Sequence, residues 1–234
     1  MTWFRPALTG LALLAPLPAA ACDLALLLAV DVSGSVDARE YRVQMEGLAE
    51  GLRDSVVREA LVRGQATVAL MQWTGSSRQE LTVGWTRISN EGDLEALARQ
   101  VETAPRLWTE FSTAIGEAMS FGARAFDDAP ACKRRVMDIS GDGRSNEGTE
   151  PVEIKPDMEA LAITVNALVI RGDDDGLPDY FAQNVMTGGN AFVVTAENYD
   201  EYPERMQRKL RRETERQISL GPERVVPVSS ESPN

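Results

Sequence analysis

One stretch of the sequence decides the fold: Leu24-Ala25-Leu26-Leu27-Leu28-Ala29-Val30-Asp31-Val32-Ser33-Gly34-Ser35. Seven apolar residues lead into an aspartate and two serines that occupy every second position. An uninterrupted apolar run that ends in polar residues and glycine is typical of a strand buried on both faces. Such strands belong to parallel sheets covered by helices. In open parallel sheets, ligands bind beyond the carboxyl ends of the strands.

The polar residues that follow this strand, Asp31, Ser33 and Ser35, are candidate ligands of a metal ion. Side chains that offer only oxygen suit a hard cation such as Mg²⁺. The alternative is a strand end followed by a capping loop, because Asp and Ser are also ordinary turn residues. The stretch by itself leaves both interpretations open.

Composition excludes several classes of function. The chain has 234 residues, of which 43% are hydrophobic, so it has room for a substantial core. Its formal net charge of −12 argues against nucleic acid or an anionic membrane as a partner. It contains no histidine, which removes His-based catalysis and His-ligated zinc. Two cysteines that are distant in sequence do not form a Cys-rich zinc site.

The N-terminal residues 1–21 have the pattern of a secretory signal peptide. Arg5 supplies the positive charge, residues 7–17 form an apolar segment, and Ala19-Ala20-Ala21 is a small-residue cleavage site. The apolar segment is short for a membrane span, and Pro16 and Pro18 disfavour a buried helix. We therefore expect export, to the periplasm or out of the cell.

The residue after the expected cleavage site is Cys22, which allows a second interpretation. A cysteine at this position is the attachment point of lipid in exported lipoproteins. Lipoprotein signals usually carry Leu three residues before that cysteine, whereas Ala19 stands there in this chain. A lipid anchor at Cys22 therefore remains the alternative to simple secretion.

Apolar runs and helical periodicities alternate along the rest of the chain. Strands are predicted at residues 24–30, 66–73, 81–85, 134–140, 164–170 and 191–194, and helices are predicted after Asp37, after Asn90 and over residues 115–126, 157–162, 177–186 and 199–217. This alternation predicts an α/β fold, a doubly wound and mostly parallel sheet with one antiparallel edge strand and helices on both faces. We expect one domain over residues 22–218. Residues 219–234, rich in Pro, Ser and Glu, are predicted to be a disordered tail.

Three strand ends offer oxygen ligands, and together they resemble the metal-ion-dependent adhesion site of von Willebrand factor type A (VWA) domains. The matching segments are Asp31-Val32-Ser33-Gly34-Ser35, Thr113 before a helix, and Gly141-Asp142-Gly143 after a strand. The resemblance covers roughly residues 24–217. The chain is also similar to a bacterial subgroup of exported proteins of this fold, through residues 22–26 and 138–143. Gly141 stands where many members have Thr, a departure that we expect to leave the metal unaffected.

The resemblance implies a function as well as a fold. In VWA domains two serines and a threonine approach the ion and the aspartates hold bound water, which carries over to Ser33, Ser35, Thr113, Asp31 and Asp142. The implied cofactor is Mg²⁺ or Mn²⁺. The implied partner is a protein that presents a carboxylate, because neutral hydroxyl ligands leave the charge of the ion poorly quenched. The chain is thus expected to be an adhesion-type binding module and not an enzyme.

Two other functions remain as alternatives. A Mg²⁺-dependent phosphohydrolase would also place an aspartate after a parallel strand, but it needs a second carboxylate two residues further on, where this chain has Ser33. A structural envelope protein with a vestigial site is the other alternative. Neither the identity of the partner nor the oligomeric state follows from the sequence.

The resemblance also implies a disulfide between Cys22 and Cys132. In the sheet of the family, the strands that end at Asp31 and Asp142 are parallel neighbours. Cys22 lies nine residues before Asp31, and Cys132 lies ten before Asp142, so both cysteines are expected at the opposite edge of the sheet. Export favours the oxidised state. Lipid attachment at Cys22, which would leave Cys132 as a lone thiol, is the competing interpretation.

Three further charged groups have open roles. Asp173-Asp174-Asp175 follows a strand on the expected site face and would either aid a second cation or form a solvated loop. A cluster of basic residues is expected to lie on a solvated, salt-bridged helix; its members are Arg205, Arg208, Lys209, Arg211 and Arg212. Asp138, in an apolar strand, would either pair with Arg134 or Arg135 or support the metal site.

Overall fold

A computed structural model describes residues 22–215 of the chain. The expected signal peptide, residues 1–21, and the expected tail, residues 219–234, lie outside the described residues. Between residues 22 and 215, no helix is both long enough and apolar enough to cross a membrane.

The described part contains a six-stranded sheet with the order β3-β2-β1-β4-β5-β6. The strands are β1 (Cys22–Asp31), β2 (Thr67–Trp73), β3 (Gln79–Arg87), β4 (Cys132–Gly141), β5 (Ile163–Ile170) and β6 (Val193–Ala196). All neighbouring pairs are parallel except β2 and β3, which form an antiparallel hairpin at the edge. The predicted sheet is confirmed, including its single antiparallel edge strand.

Helices cover both faces of the sheet. They are α1 (Ala38–Arg53), α2 (Ser55–Arg63), α3 (Glu91–Glu102), α4 (Ile115–Ala125), α5 (Pro151–Ala160), α6 (Leu177–Asn184) and α7 (Tyr202–Thr214). Two hydrophobic cores result, because alternate residues of each central strand point to opposite faces. Leu26, Leu28 and Val30 pack on the side of α1, α3 and α7. Ala25, Leu27 and Ala29 pack on the side of α4 and α6.

Two of the predicted helix starts are confirmed by their caps. Asp37 forms a capping box with Glu40 at the start of α1, and Asn90 caps α3. Each cap satisfies backbone N–H groups that have no partner inside the helix.

The element boundaries differ from the prediction in places. The sequence analysis missed α2, a nine-residue helix that begins immediately after α1 and is capped by Asp54. Helix α5 begins at Pro151 and contains Pro156, whereas the prediction began it after that proline because proline cannot donate a helical hydrogen bond. The last strand is displaced by two residues, and a short 3-10 turn over Tyr199–Glu201 precedes α7.

Cys22 and Cys132 form a disulfide, as the resemblance implied. The two residues are direct partners at the start of the parallel pair β1 and β4, with Cα atoms 4.5 Å apart. The bond uses the same sulfur atom of Cys22 that lipid attachment would require. It lies at the end of the strands opposite the end where Asp31 and Asp142 are found.

A buried charged cluster joins α7 to β4. Lys209, which was expected on a solvated helix face, is fully buried and forms ion pairs with Asp138 and Glu213. Asp138 therefore pairs with neither Arg134 nor Arg135, and the expectation for Lys209 is wrong. The reason is that α7 packs on the sheet, so the side of the helix that carries Lys209 and Glu213 faces the polar positions of β4 and β5, Asp138 and Asn166. Arg208, on the other side, is exposed and pairs with Glu204.

Candidate metal centre

The carboxylate of Asp31 lies at the end of β1 and is completely buried. Its Oδ1 atom accepts a hydrogen bond from the backbone N–H of Ser33 at 2.7 Å. Its Oδ2 atom has no hydrogen-bond partner among the described residues. A buried carboxylate oxygen without a partner costs free energy, so this atom indicates that a cation or an ordered water belongs beside it.

A chain of hydrogen bonds connects the two serines to the second aspartate. Ser33 Oγ and Ser35 Oγ lie 3.2 Å apart. Ser35 Oγ donates to Asp142 Oδ1 at 2.6 Å, and the other carboxylate oxygen of Asp142 accepts from the hydroxyl of Tyr199 at 2.9 Å. The fold therefore brings Ser33, Ser35 and Asp142 together, although Asp142 follows a different strand.

Thr113 is held at the same edge by two neighbouring loops. Its backbone N–H donates to Asn146 Oδ1 and its carbonyl accepts from the N–H of Asn146, each at 2.9 Å. On the other side, the Thr74 hydroxyl after β2 donates to the carbonyl of Ser112. The Thr113 hydroxyl faces Gly143, where an added Cβ atom would lie 3.8 Å from it. Thr113 thus lies beside the loop that carries Asp142.

The electrostatics of the centre favour a positive ion. Burial raises the pKa of Asp31 to about 8, and the negative charge of Asp142 contributes to this rise. Two carboxylates and three hydroxyls therefore lie at this edge, with Asp31, Ser33 and Thr113 buried, Asp142 half-buried and Ser35 exposed to solvent. A divalent cation would relieve both the desolvation and the repulsion between the two carboxylates, so the donor set fits a hard cation.

Gly141 lies in contact with this centre. A Cβ atom there would come within 3.2 Å of Asp31 Oδ2 and 3.5 Å of Phe181. The missing side chain leaves space beside the unpartnered oxygen of Asp31. Metal binding is still predicted to be unaffected by Gly141, which stands where many VWA domains have Thr.

The structure adds residues that the sequence analysis did not single out. Arg106 donates to the carbonyls of Val32 and Ser33 and so fixes the loop after β1. Asn146 holds Thr113, and Tyr199 holds Asp142. Asn146 belongs to the polar run that ends β4, which is a weak signal. No local pattern pointed to Arg106 or Tyr199, because their contacts depend on tertiary packing.

The acidic run Asp173-Asp174-Asp175 lies beside this centre but is engaged with arginines. Asp174 pairs with Arg144 at 2.8 Å, and Asp175 pairs with Arg171. Over residues 22–215 there is no group of three or more His, Cys, Asp or Glu side chains that could hold a metal. These contacts favour the loop interpretation over a second cation site.

The fold is that of a VWA domain, and solved structures of this fold superpose on the chain. Proximal thread matrix protein 1 from the mussel byssus has a TM-score of 0.63 at 15% identity, covering 83% of this chain and 47% of its own. A further structure of that protein is described as having a zinc-occupied MIDAS motif. The pilus adhesin SpaC from Lactobacillus rhamnosus GG, in its open conformation, has a TM-score of 0.62 at 14% identity, covering 82% of this chain and 30% of its own.

A von Willebrand factor type A structure from Catenulispora acidiphila has a TM-score of 0.60 at 16% identity, covering 82% of this chain and 43% of its own. The chain thus spans less than half the length of these three structures. No curated protein matches it significantly in sequence. By its sequence the chain belongs to the family described as "Protein of unknown function (DUF1194)", whose model matches residues 21–218.

Proposed function

We propose that the protein is an exported binding module that captures an acidic group of a partner protein through a divalent cation. Ser33, Ser35 and Thr113 would approach the ion, and Asp31 and Asp142 would hold its water ligands. The mature domain would comprise residues 22–218. The bound ion would supply a Lewis-acidic position at which a carboxylate of the partner replaces water.

One observation carries this proposal: Asp31 Oδ2 is buried and has no hydrogen-bond partner among the described residues, beside two serine hydroxyls and a second carboxylate. A capping loop would not bury a carboxylate with an oxygen left unsatisfied, since turn aspartates are normally solvated or bonded to backbone N–H groups. A metal centre accounts for the burial, for the hydroxyls and for the second carboxylate together.

The chemistry of the donors supports Mg²⁺ or Mn²⁺ as the ion. Both prefer oxygen ligands, and Mg²⁺ retains several waters in an octahedral shell. Hydroxyl ligands are neutral, so the ion would keep much of its charge for an incoming anion. The descriptions of two structural relatives, a pilus adhesin and a byssal matrix protein with a zinc-occupied site, also support a binding role that depends on a divalent ion.

The alternative of a Mg²⁺-dependent phosphohydrolase has less support. That chemistry needs a general acid or base next to the attacking group, and position 33 supplies a serine whose hydroxyl lies 3.2 Å from that of Ser35. We therefore expect the metal-loaded protein not to hydrolyse phosphate esters. A metal-dependent turnover that is abolished by Asp31→Ala would establish the enzyme instead.

Calorimetric titration of the purified mature chain with Mg²⁺ and Mn²⁺ tests the metal centre. We expect one ion per chain for the wild type and little binding by Asp31→Ala. Asp173→Asn is the matched control, because it removes an exposed carboxylate of the neighbouring loop and should bind as the wild type does. Equal binding by wild type and Asp31→Ala would contradict the assignment.

The partner is tested separately. The immobilised wild type and Asp31→Ala are each exposed to the exported proteins of the source cell, with Mg²⁺ or with a chelator. The proposal expects a protein that is retained only by the wild type and only with the ion. Retention that persists with the chelator would place the binding surface elsewhere.

A further inference from the structure

Tyr199 lies outside the set of residues assigned to the metal, yet its hydroxyl reaches into the centre. It donates to Asp142 Oδ2 at 2.9 Å, and the side chain is almost completely buried, with 7% of the residue exposed. The contact joins residues that are 57 positions apart in the chain. Tyr199 is therefore a candidate for a role in the proposed metal centre.

The backbone around Tyr199 is rigidly held. Asn198 caps the short 3-10 turn by accepting hydrogen bonds from the N–H groups of Asp200 and Glu201. Asp200 forms an ion pair with Arg39 of α1. The turn continues directly into α7, whose buried residues pack against the sheet. The phenol is therefore presented to Asp142 from a fixed position.

The hydrogen-bond directions show what this contact does. Asp142 accepts at both oxygens, from Tyr199 at Oδ2 and from Ser35 at Oδ1. A serine hydroxyl has one hydrogen and two lone pairs. Because Asp142 takes the hydrogen of Ser35, Ser33 is the donor in the 3.2 Å contact between the two serines, and the second lone pair of Ser35 is left for a cation. Tyr199 in turn prevents the carboxylate of Asp142 from rotating away from Ser35.

We propose that Tyr199 is a positioning residue of the metal centre, which holds Asp142 so that Ser35 presents a free lone pair to the ion. This inference rests on the proposed function, since it assumes that the centre binds a divalent cation. Groups that orient metal ligands from outside commonly contribute 10- to 100-fold to metal affinity.

The test compares two substitutions that each remove one buried tyrosine hydroxyl. Tyr199→Phe keeps the ring and removes the bond to Asp142. Tyr202→Phe, three residues further on, removes a hydroxyl that is also buried but that interacts with Ser140 and not with a residue assigned to the metal. We measure Mg²⁺ and Mn²⁺ affinity by calorimetry and the thermal unfolding of each protein without metal. We expect a loss of about 10- to 100-fold in affinity for Tyr199→Phe and an affinity close to that of the wild type for Tyr202→Phe.

A double substitution separates positioning from a general structural effect. If Tyr199 acts through Asp142 on Ser35, adding Tyr199→Phe to Ser35→Ala should lower the affinity little beyond Ser35→Ala alone. Fully additive losses, or a Tyr199→Phe protein that binds the ion as the wild type does, would overturn the inference and leave the proposed function intact. A wild type that binds no divalent ion would overturn both.

Discussion

Lys209 of α7 forms an ion pair with Asp138 in the middle of β4, and both side chains are excluded from solvent. A second carboxylate, that of Glu213, accepts from the same ammonium group at 2.6 Å and also from the side-chain amide of Asn166. One cation thus lies between two buried carboxylates. The cluster fixes the C-terminal helix to the strand whose last residues carry the candidate metal centre.

Lys209→Met should destabilise the protein strongly. The substitution retains the aliphatic volume but leaves the Asp138 carboxylate buried without its cation and Glu213 without the hydrogen bond from Lys209, and breaking a buried ion pair on one side costs about 3–5 kcal/mol. The free energy of unfolding is measured in urea. Arg208→Met is the control, because Arg208 lies on the exposed side of the same helix and should change stability by no more than about 0.5 kcal/mol. Equal effects of the two substitutions would contradict the role of the cluster.

The buried cluster should also make stability depend on pH. Burial, with the charge of Asp138, raises the pKa of Glu213 from 4.5 to about 8. Between these values the folded protein holds a proton that the unfolded chain releases, so the stabilisation from Glu213 is complete below pH 4.5 and is lost as pH rises through about 8. We expect the free energy of unfolding of the wild type, relative to that of Glu213→Gln, to fall across this range. Parallel pH profiles of the two proteins would refute this. Asp31 is present in both proteins, so its own titration cancels in the comparison.

Removal of the disulfide should lower stability without affecting the metal centre. The bond closes a sequence separation of 110 residues, and loss of a native disulfide typically costs about 2–5 kcal/mol. We expect such a loss for the double variant Cys22→Ser/Cys132→Ser in denaturant unfolding. Its Mg²⁺ affinity should equal that of the wild type, because the bond lies at the far end of β1, about 30 Å from Asp31 at roughly 3.3 Å per residue.

The mass of the exported protein distinguishes the disulfide from a lipid anchor at Cys22. A mature chain that begins at Cys22, lacks two hydrogens and has no reactive thiol agrees with the disulfide. An acylated N-terminus together with a titratable Cys132 would show that the exported form is anchored instead.

Asn146→Ala should weaken metal binding through Thr113. The side-chain oxygen of Asn146 accepts from the N–H of Thr113. Asn146→Ala removes this bond and keeps only the backbone bond from Asn146 to the Thr113 carbonyl, so the loop that presents the threonine hydroxyl is held less firmly. We expect a loss of affinity of about tenfold, at the lower end of the range for groups that orient ligands. Asn184→Ala is the control, since the Asn184 side chain bonds to the carbonyl of Tyr180 within α6. An unchanged affinity of Asn146→Ala would contradict the positioning of Thr113 by the Asn146 side chain.

Much of the fold follows from local patterns in the sequence. The apolar run before Asp31 identified β1 as a doubly buried central strand, and Asp37 and Asn90 marked helix starts because caps are local interactions. The boundaries of α5 and the presence of α2 did not follow from such local patterns. A proline is tolerated inside α5, and α2 is too short for its periodicity to stand out beside α1.

The sequence by itself determined the order of the strands and of every helix except α2, the oxygen-bearing side chains after β1, before α4 and after β4, and, through the resemblance to VWA domains, the pairing of Cys22 with Cys132. Only the tertiary structure decided that Lys209 is buried against Asp138 and that Tyr199 donates to Asp142. The physical reason is that periodicity and capping act over a few residues, whereas these contacts depend on how α7 packs across the sheet. A polar residue on a helix looks the same in sequence whether the neighbour it meets is water or a buried carboxylate.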